Sequence, residues 1–75
     1  MATEVNSRPT DKRYLGNSSH MEVHDLNNED TTPNACQIDE IIRAGNAVVF
    51  SPDTLDQAHY ERYDNCEYCI GGSER

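Results

Sequence analysis

The sequence predicts an α+β fold, a short β-sheet with two helices, spanning about residues 14–70. Three features of the chain predict it. Met21 to Leu26 alternates apolar and polar residues, the period of a strand. Ile38, Ile41 and Ile42 recur at helical spacing and Gly45 follows as a stop. Ala47-Val48-Val49-Phe50 is β-branched and aromatic, and Ser51-Pro52 then opens a second helical stretch.

Taken in order, residues 1–13 are polar and aperiodic and read as a disordered N-terminal arm. Tyr14-Leu15-Gly16 is a short apolar strand, Asn17-Ser18-Ser19 a turn, and 21–26 the second strand of a hairpin. In that strand Met21, Val23 and Asp25 share one side, and Glu22, His24 and Leu26 the other. Asn27 to Asn34 has the composition of a loop. A helix is expected near 36–44 with Asn34 as its cap. The third strand is 47–50. The second helix is expected near 52–62, with Ser51 as N-cap, Pro52 at the first position and Asp53 in the first turn. Leu55, Ala58, His59 and Arg62 would share one face of it. Residues 71–75 read as a flexible tail.

Such a chain is too polar to fold on its core alone. Only 35% of its 75 residues are of the apolar set, with one Phe and no Trp, against roughly 45–50% in an ordinary domain. Domains this small add disulfides, a metal or a partner. The three cysteines and three histidines therefore draw attention. An odd cysteine number does not suit a secreted disulfide framework, and in a reducing compartment thiols serve as metal ligands or redox groups. The N-terminus resembles no signal peptide and no apolar run spans a bilayer, so a cytoplasmic location is expected.

Cys66 and Cys69 form a C-x-x-C pair, a spacing at which one turn grips one ion. A redox dithiol needs a depressed thiol pKa, and Asp64, Glu67 and the negative chain oppose that. A structural zinc needs four ligands. Cys36 supplies a third thiolate, unless it is merely a small buried hydrophobe. The fourth ligand is then one of His20, His24 and His59. His59 fits a packed helical position, and His20 a solvated turn. The acid pairs Glu29-Asp30 and Asp39-Glu40 lack EF-hand spacing and read as surface.

Two stretches resemble the Ada-like metal-binding domain. Val48 through Cys69 is similar to that family's strand, turn, helix and C-x-x-C. Tyr14-Leu15-Gly16-Asn17-Ser18-Ser19, followed by His24, resembles its opening. The resemblance implies one Zn²⁺ held by His24, Cys36, Cys66 and Cys69. It departs at two places: eleven residues separate His24 from Cys36, a longer spacing than the family's, and Arg62 stands where the family carries Gly. In members with four cysteine ligands, one thiolate accepts a methyl group from a DNA phosphotriester. Here that position is His24, and an imidazole cannot take over the transfer.

Charge points the same way. Six Lys and Arg against fourteen Asp and Glu leave a net charge of -8. Duplex DNA and anionic membranes are disfavoured partners, since both draw on Lys and Arg. The expectation is a monomeric, acidic, non-enzymatic zinc domain that binds another protein. The alternatives are an Ada-like alkyl acceptor using a zinc-bound thiolate, and an acidic DNA mimic.

Overall fold

Two apolar clusters lie on opposite faces of a central sheet. The computed structural model describes residues 2–28 and 36–72. Its strands are β1 (Thr3–Glu4), β2 (Tyr14–Asn17), β3 (Glu22–Asp25), β4 (Ala47–Val49) and β5 (Asp64–Asn65), in the spatial order β1-β4-β2-β3-β5. The helices are α1 (Ile38–Arg43) and α2 (Leu55–Tyr60). This is the α+β architecture expected from periodicity. Among the described residues no helix is long and apolar enough to cross a membrane.

The β2–β3 hairpin fixes which residue faces where. Leu15 pairs with His24 and Gly16 with Val23 in antiparallel register. Because successive strand side chains alternate in direction, Leu15 and His24 share one face while Gly16 and Val23 share the other. On the first face Leu15 meets Ile38 and Ile41 of α1, Ala47 and the three cysteines. On the second, Val23 meets Val48, Phe50, Tyr63 and Ala58 of α2. Each helix thus covers one face.

Gly16 is where the second face closes most tightly. A Cβ there would lie 2.8 Å from both Phe50 Cζ and Val48 Cγ2, and 2.9 Å from Tyr63 Cε2. Its absence lets the Phe50 and Tyr63 rings, 5.0 Å apart and edge-on at 80°, rest on the backbone of β2.

Several boundaries differ from the sequence reading. Helix α1 starts at Ile38, and Gln37 before it has φ of 54°; a residue in the left-handed region cannot continue a right-handed helix backwards. Asn34, the expected cap, lies outside the described residues, as do Glu29 and Asp30. Helix α2 starts three residues later than the Ser51-Pro52 signal implied. The Ser51–Pro52 peptide is cis. Asp53 accepts hydrogen bonds from the backbone N–H groups of Arg13 and Tyr14 at 2.6 and 3.0 Å. The cap is Thr54, whose hydroxyl oxygen accepts the Gln57 N–H at 3.1 Å.

The expected disordered arm also differs at its two ends. Thr3 and Glu4 pair with Val49 and Val48, Val5 N–H donates to the Ala47 carbonyl at 2.9 Å, and the Arg13 carbonyl accepts Leu26 N–H at 2.7 Å. At the C-terminus, Gly71 N–H donates to the Cys66 carbonyl at 2.9 Å, so the tail is tied in at its first residue. Residues 73–75 lie outside the described residues.

Candidate metal centre

Four elements each bring one potential ligand to the same buried point. His24 comes from β3, on the face opposite Val23. Cys36 sits two residues before α1, in the same cluster as Ile38 and Ile41. Cys66 follows β5, whose parallel pairing with β3 sets its position: Asp64 N–H donates to the Met21 carbonyl at 2.8 Å and Cys66 N–H to the Val23 carbonyl at 2.9 Å. Cys69 comes from the turn after Cys66, closed by Ile70 N–H on the Cys66 carbonyl at 3.0 Å.

The donor atoms of His24, Cys36, Cys66 and Cys69 all lie within 4.8 Å of one another. Cys36 Sγ is 3.7 Å from Cys66 Sγ, and Cys69 Sγ is 3.9 Å from His24 Nδ1. All four residues are at most 4% exposed. Three thiols and an imidazole converging this closely can hold a metal ion.

A surrounding shell orients the group. Asp25 N–H donates to Cys69 Sγ at 3.3 Å, and Asn28 Nδ2 donates to the Cys69 carbonyl at 2.7 Å. Asp25 is itself held by Arg13, whose Nη2 donates to Oδ2 at 3.0 Å and whose Nε lies 3.3 Å from both carboxylate oxygens. Arg13 therefore acts at second hand on the cysteine turn. Burial pushes the Cys69 thiol well up; the Asp25 N–H opposes the rise, and the neighbouring Cys36 and Cys66 thiols add to it.

The other two histidines lie outside this group. His20 is exposed, in the turn between β2 and β3. His59 is exposed too, its Nε2 2.6 Å from Asn65 Oδ1, on a helix that packs the opposite sheet face. It is not the packed helical residue that its spacing suggested. Helix α2 ends at Tyr60, so Arg62 leaves the shared face as well.

A half-open cleft of about 290 Å³ lies over the centre. His24, Cys36 and Cys66 line it, with Glu22, Glu67 and Tyr68 around them, whereas Cys69 does not. Tyr68 is 58% exposed. The turn of β2 and β3 is in turn fixed by Asn17, whose side-chain oxygen accepts Ser19 N–H at 3.0 Å.

No family model matches the chain, and comparison with curated proteins and with solved structures likewise finds no match. The Ada-like likeness thus rests on the motif residues alone.

Proposed function

We propose that the protein is a structural zinc domain of the Cys₃His kind whose acidic surface binds another protein. The observation that carries this reading is the convergence of four buried donors within 4.8 Å. With Zn–S near 2.3 Å and Zn–N near 2.0–2.1 Å, a tetrahedron has edges of roughly 3.8 Å between sulfurs and 3.5 Å between sulfur and nitrogen. The 3.7 Å Cys36–Cys66 separation matches the first, and the 3.9 Å Cys69–His24 separation needs only a small closure to reach the second. Three thiolates with one imidazole suit Zn²⁺ better than the all-oxygen ions or a four-thiolate cluster. Four protein ligands complete the coordination and leave no position for a catalytic water, which supports a structural role.

The expectation of a protein partner rests on charge. At -8 the chain has little with which to neutralise phosphates. No methyl-acceptor activity is expected, since His24 occupies the acceptor-like position. Elemental analysis of the purified chain should give one zinc per molecule. His24→Ala should lose it, while His20→Ala and His59→Ala should keep it. A zinc-free protein that stays folded in excess chelator would remove the reading. Binding of random duplex DNA at micromolar or tighter affinity at about 150 mM salt would overturn the partner assignment, because such affinity needs several Lys or Arg contacts.

A further inference from the structure

We propose that Cys36 and Cys66 form a peroxide-modified pair: a peroxide entering the cleft links them as a disulfide and releases the metal. This rests on the zinc reading above for the release, though not for the linkage. The cleft singles out this pair, and the separation of its sulfurs makes the linkage short. The two sulfurs already lie 3.7 Å apart, so a bond of about 2.05 Å needs roughly 1.7 Å of closure. Both residues line the half-open cleft, while Cys69 does not. Cys69 is also engaged from behind by the Asp25 N–H, and that bond draws on the lone pair an electrophile would need.

The chemistry balances with a hydroperoxide as the two-electron oxidant. The thiolate of one cysteine attacks a peroxide oxygen, the O–O bond breaks, hydroxide leaves and a sulfenic acid forms. The second thiolate attacks the sulfenic sulfur, the S–S bond forms and a second hydroxide leaves. Two thiolates and one hydrogen peroxide become one disulfide and two hydroxides, which solvent protonates. His24 and Cys69 remain as ligands, two where four held the ion. A catalytic C-x-x-C dithiol would instead join Cys66 to Cys69, so the linkage distinguishes the two chemistries.

The test uses the full chain as purified, its zinc counted beforehand by elemental analysis. Hydrogen peroxide is added at one equivalent, a chromogenic chelator reads released zinc, and remaining thiols are alkylated before peptide mass spectrometry. The expected result is a Cys36–Cys66 linkage with Cys69 alkylated, one zinc released per linkage, and reversal by dithiothreitol with added zinc. A Cys66–Cys69 linkage, or sulfinic and sulfonic acids without any linkage, overturns the proposal. A protein lacking zinc at the outset yet forming the Cys36–Cys66 linkage fails the zinc reading and keeps this pair. A zinc-loaded protein that resists linkage does the reverse. In Cys36→Ser, which lacks a metal ligand and is therefore read by thiol alkylation and mass spectrometry alone, peroxide should form no fast disulfide at Cys66; linkage of Cys66 to Cys69 at the parent's rate again overturns the proposal.

Discussion

Two positions with positive φ end the two helices by the same device, with different residues. After α1, Gly45 (φ 78°) donates to the Ile42 carbonyl and Asn46 to that of Ile41, at 3.0 and 3.1 Å. After α2, Arg62 (φ 75°) donates to the His59 carbonyl and Tyr63 to that of Ala58, at 3.0 and 2.9 Å. Both are Schellman closures, and the Tyr63–Ala58 contact supplies the usual apolar clasp in the second. A side chain in the left-handed region costs roughly 1–2 kcal/mol, while Gly carries a smaller entropic penalty of about 0.5–1 kcal/mol in the unfolded chain. Arg62→Gly should therefore stabilise modestly, by about 0.5–1 kcal/mol, and Gly45→Ala should destabilise by about 1 kcal/mol. Chemical denaturation of the zinc-loaded protein reads both; a loss of stability in Arg62→Gly would mean that the arginine side chain contributes more than its backbone costs. Gly16 is governed by space instead. A methyl group 2.8 Å from Phe50 and Val48 forces the rings apart, so Gly16→Ala should cost about 1–3 kcal/mol. The Gly45 stop was legible in the sequence because it follows a periodic run. The role of Gly16 was not, since nothing local announces that two rings from residues 50 and 63 meet it.

At the scale of elements, what the sequence revealed was the local pattern, and what it concealed was the pairing across distance. The alternation at 21–26 correctly separates Val23 from His24, and C-x-x-C announces its turn. Strands β1 and β5 carry no such signal: Thr3, Glu4, Asp64 and Asn65 are polar pairs. They become strands because β4 and β3 present unpaired backbone groups at their edges. The Ser51-Pro52 signature misled for a related reason, since Asp53 is used by the N–H groups of Arg13 and Tyr14 rather than by a helix. Strand β1 is anchored further by Glu61, which accepts Gln57 Nε2 at 2.7 Å and Ala2 N–H at 2.8 Å. The Gln57 hydrogen bond above all, with the Ala2 N–H, holds the Glu61 carboxyl below the usual carboxylate range. A carboxylate with a lowered folded pKa adds stability above its unfolded pKa and loses it as pH falls through the folded one. The β1 edge should accordingly loosen in acid, below the ordinary carboxylate range. The protection of the Val5 amide, taken relative to its unstructured exchange rate at each pH, should fall there in the parent and already at neutral pH in Glu61→Gln; equal protection in both proteins at every pH would discount the anchor.

For the whole molecule, a metal ion at the His24, Cys36, Cys66 and Cys69 cluster would be the counterweight to a core divided in two. The sheet separates a cluster around Leu15, Ile38 and Ile41 from one around Phe50 and Tyr63, and the cysteines belong to the first. Without an ion, that first cluster is closed chiefly by three isoleucine and leucine side chains and three thiols. A structural zinc contributes of order 10–16 kcal/mol at neutral pH, as much as the whole net stability of a typical domain, roughly 5–15 kcal/mol. Chelation should therefore unfold the α1 face first, and far-ultraviolet circular dichroism with the amide spectrum should report a cooperative loss reversed by zinc. The sign with pH follows from the thiols. An ordinary cysteine thiol is protonated at neutral pH, and burial in the fold pushes that of Cys69 further up, while a coordinated thiol is deprotonated. Zinc loading must then expel protons, up to about three if every thiol gives one up. Affinity should rise as pH rises and fall in acid, where protons compete for the three sulfurs and for the His24 imidazole. Titration calorimetry at neutral pH in buffers of different ionisation enthalpy measures the proton count directly. Release of about two to three protons fits three cysteine ligands; release near zero would mean that the thiols are not the groups that take the ion.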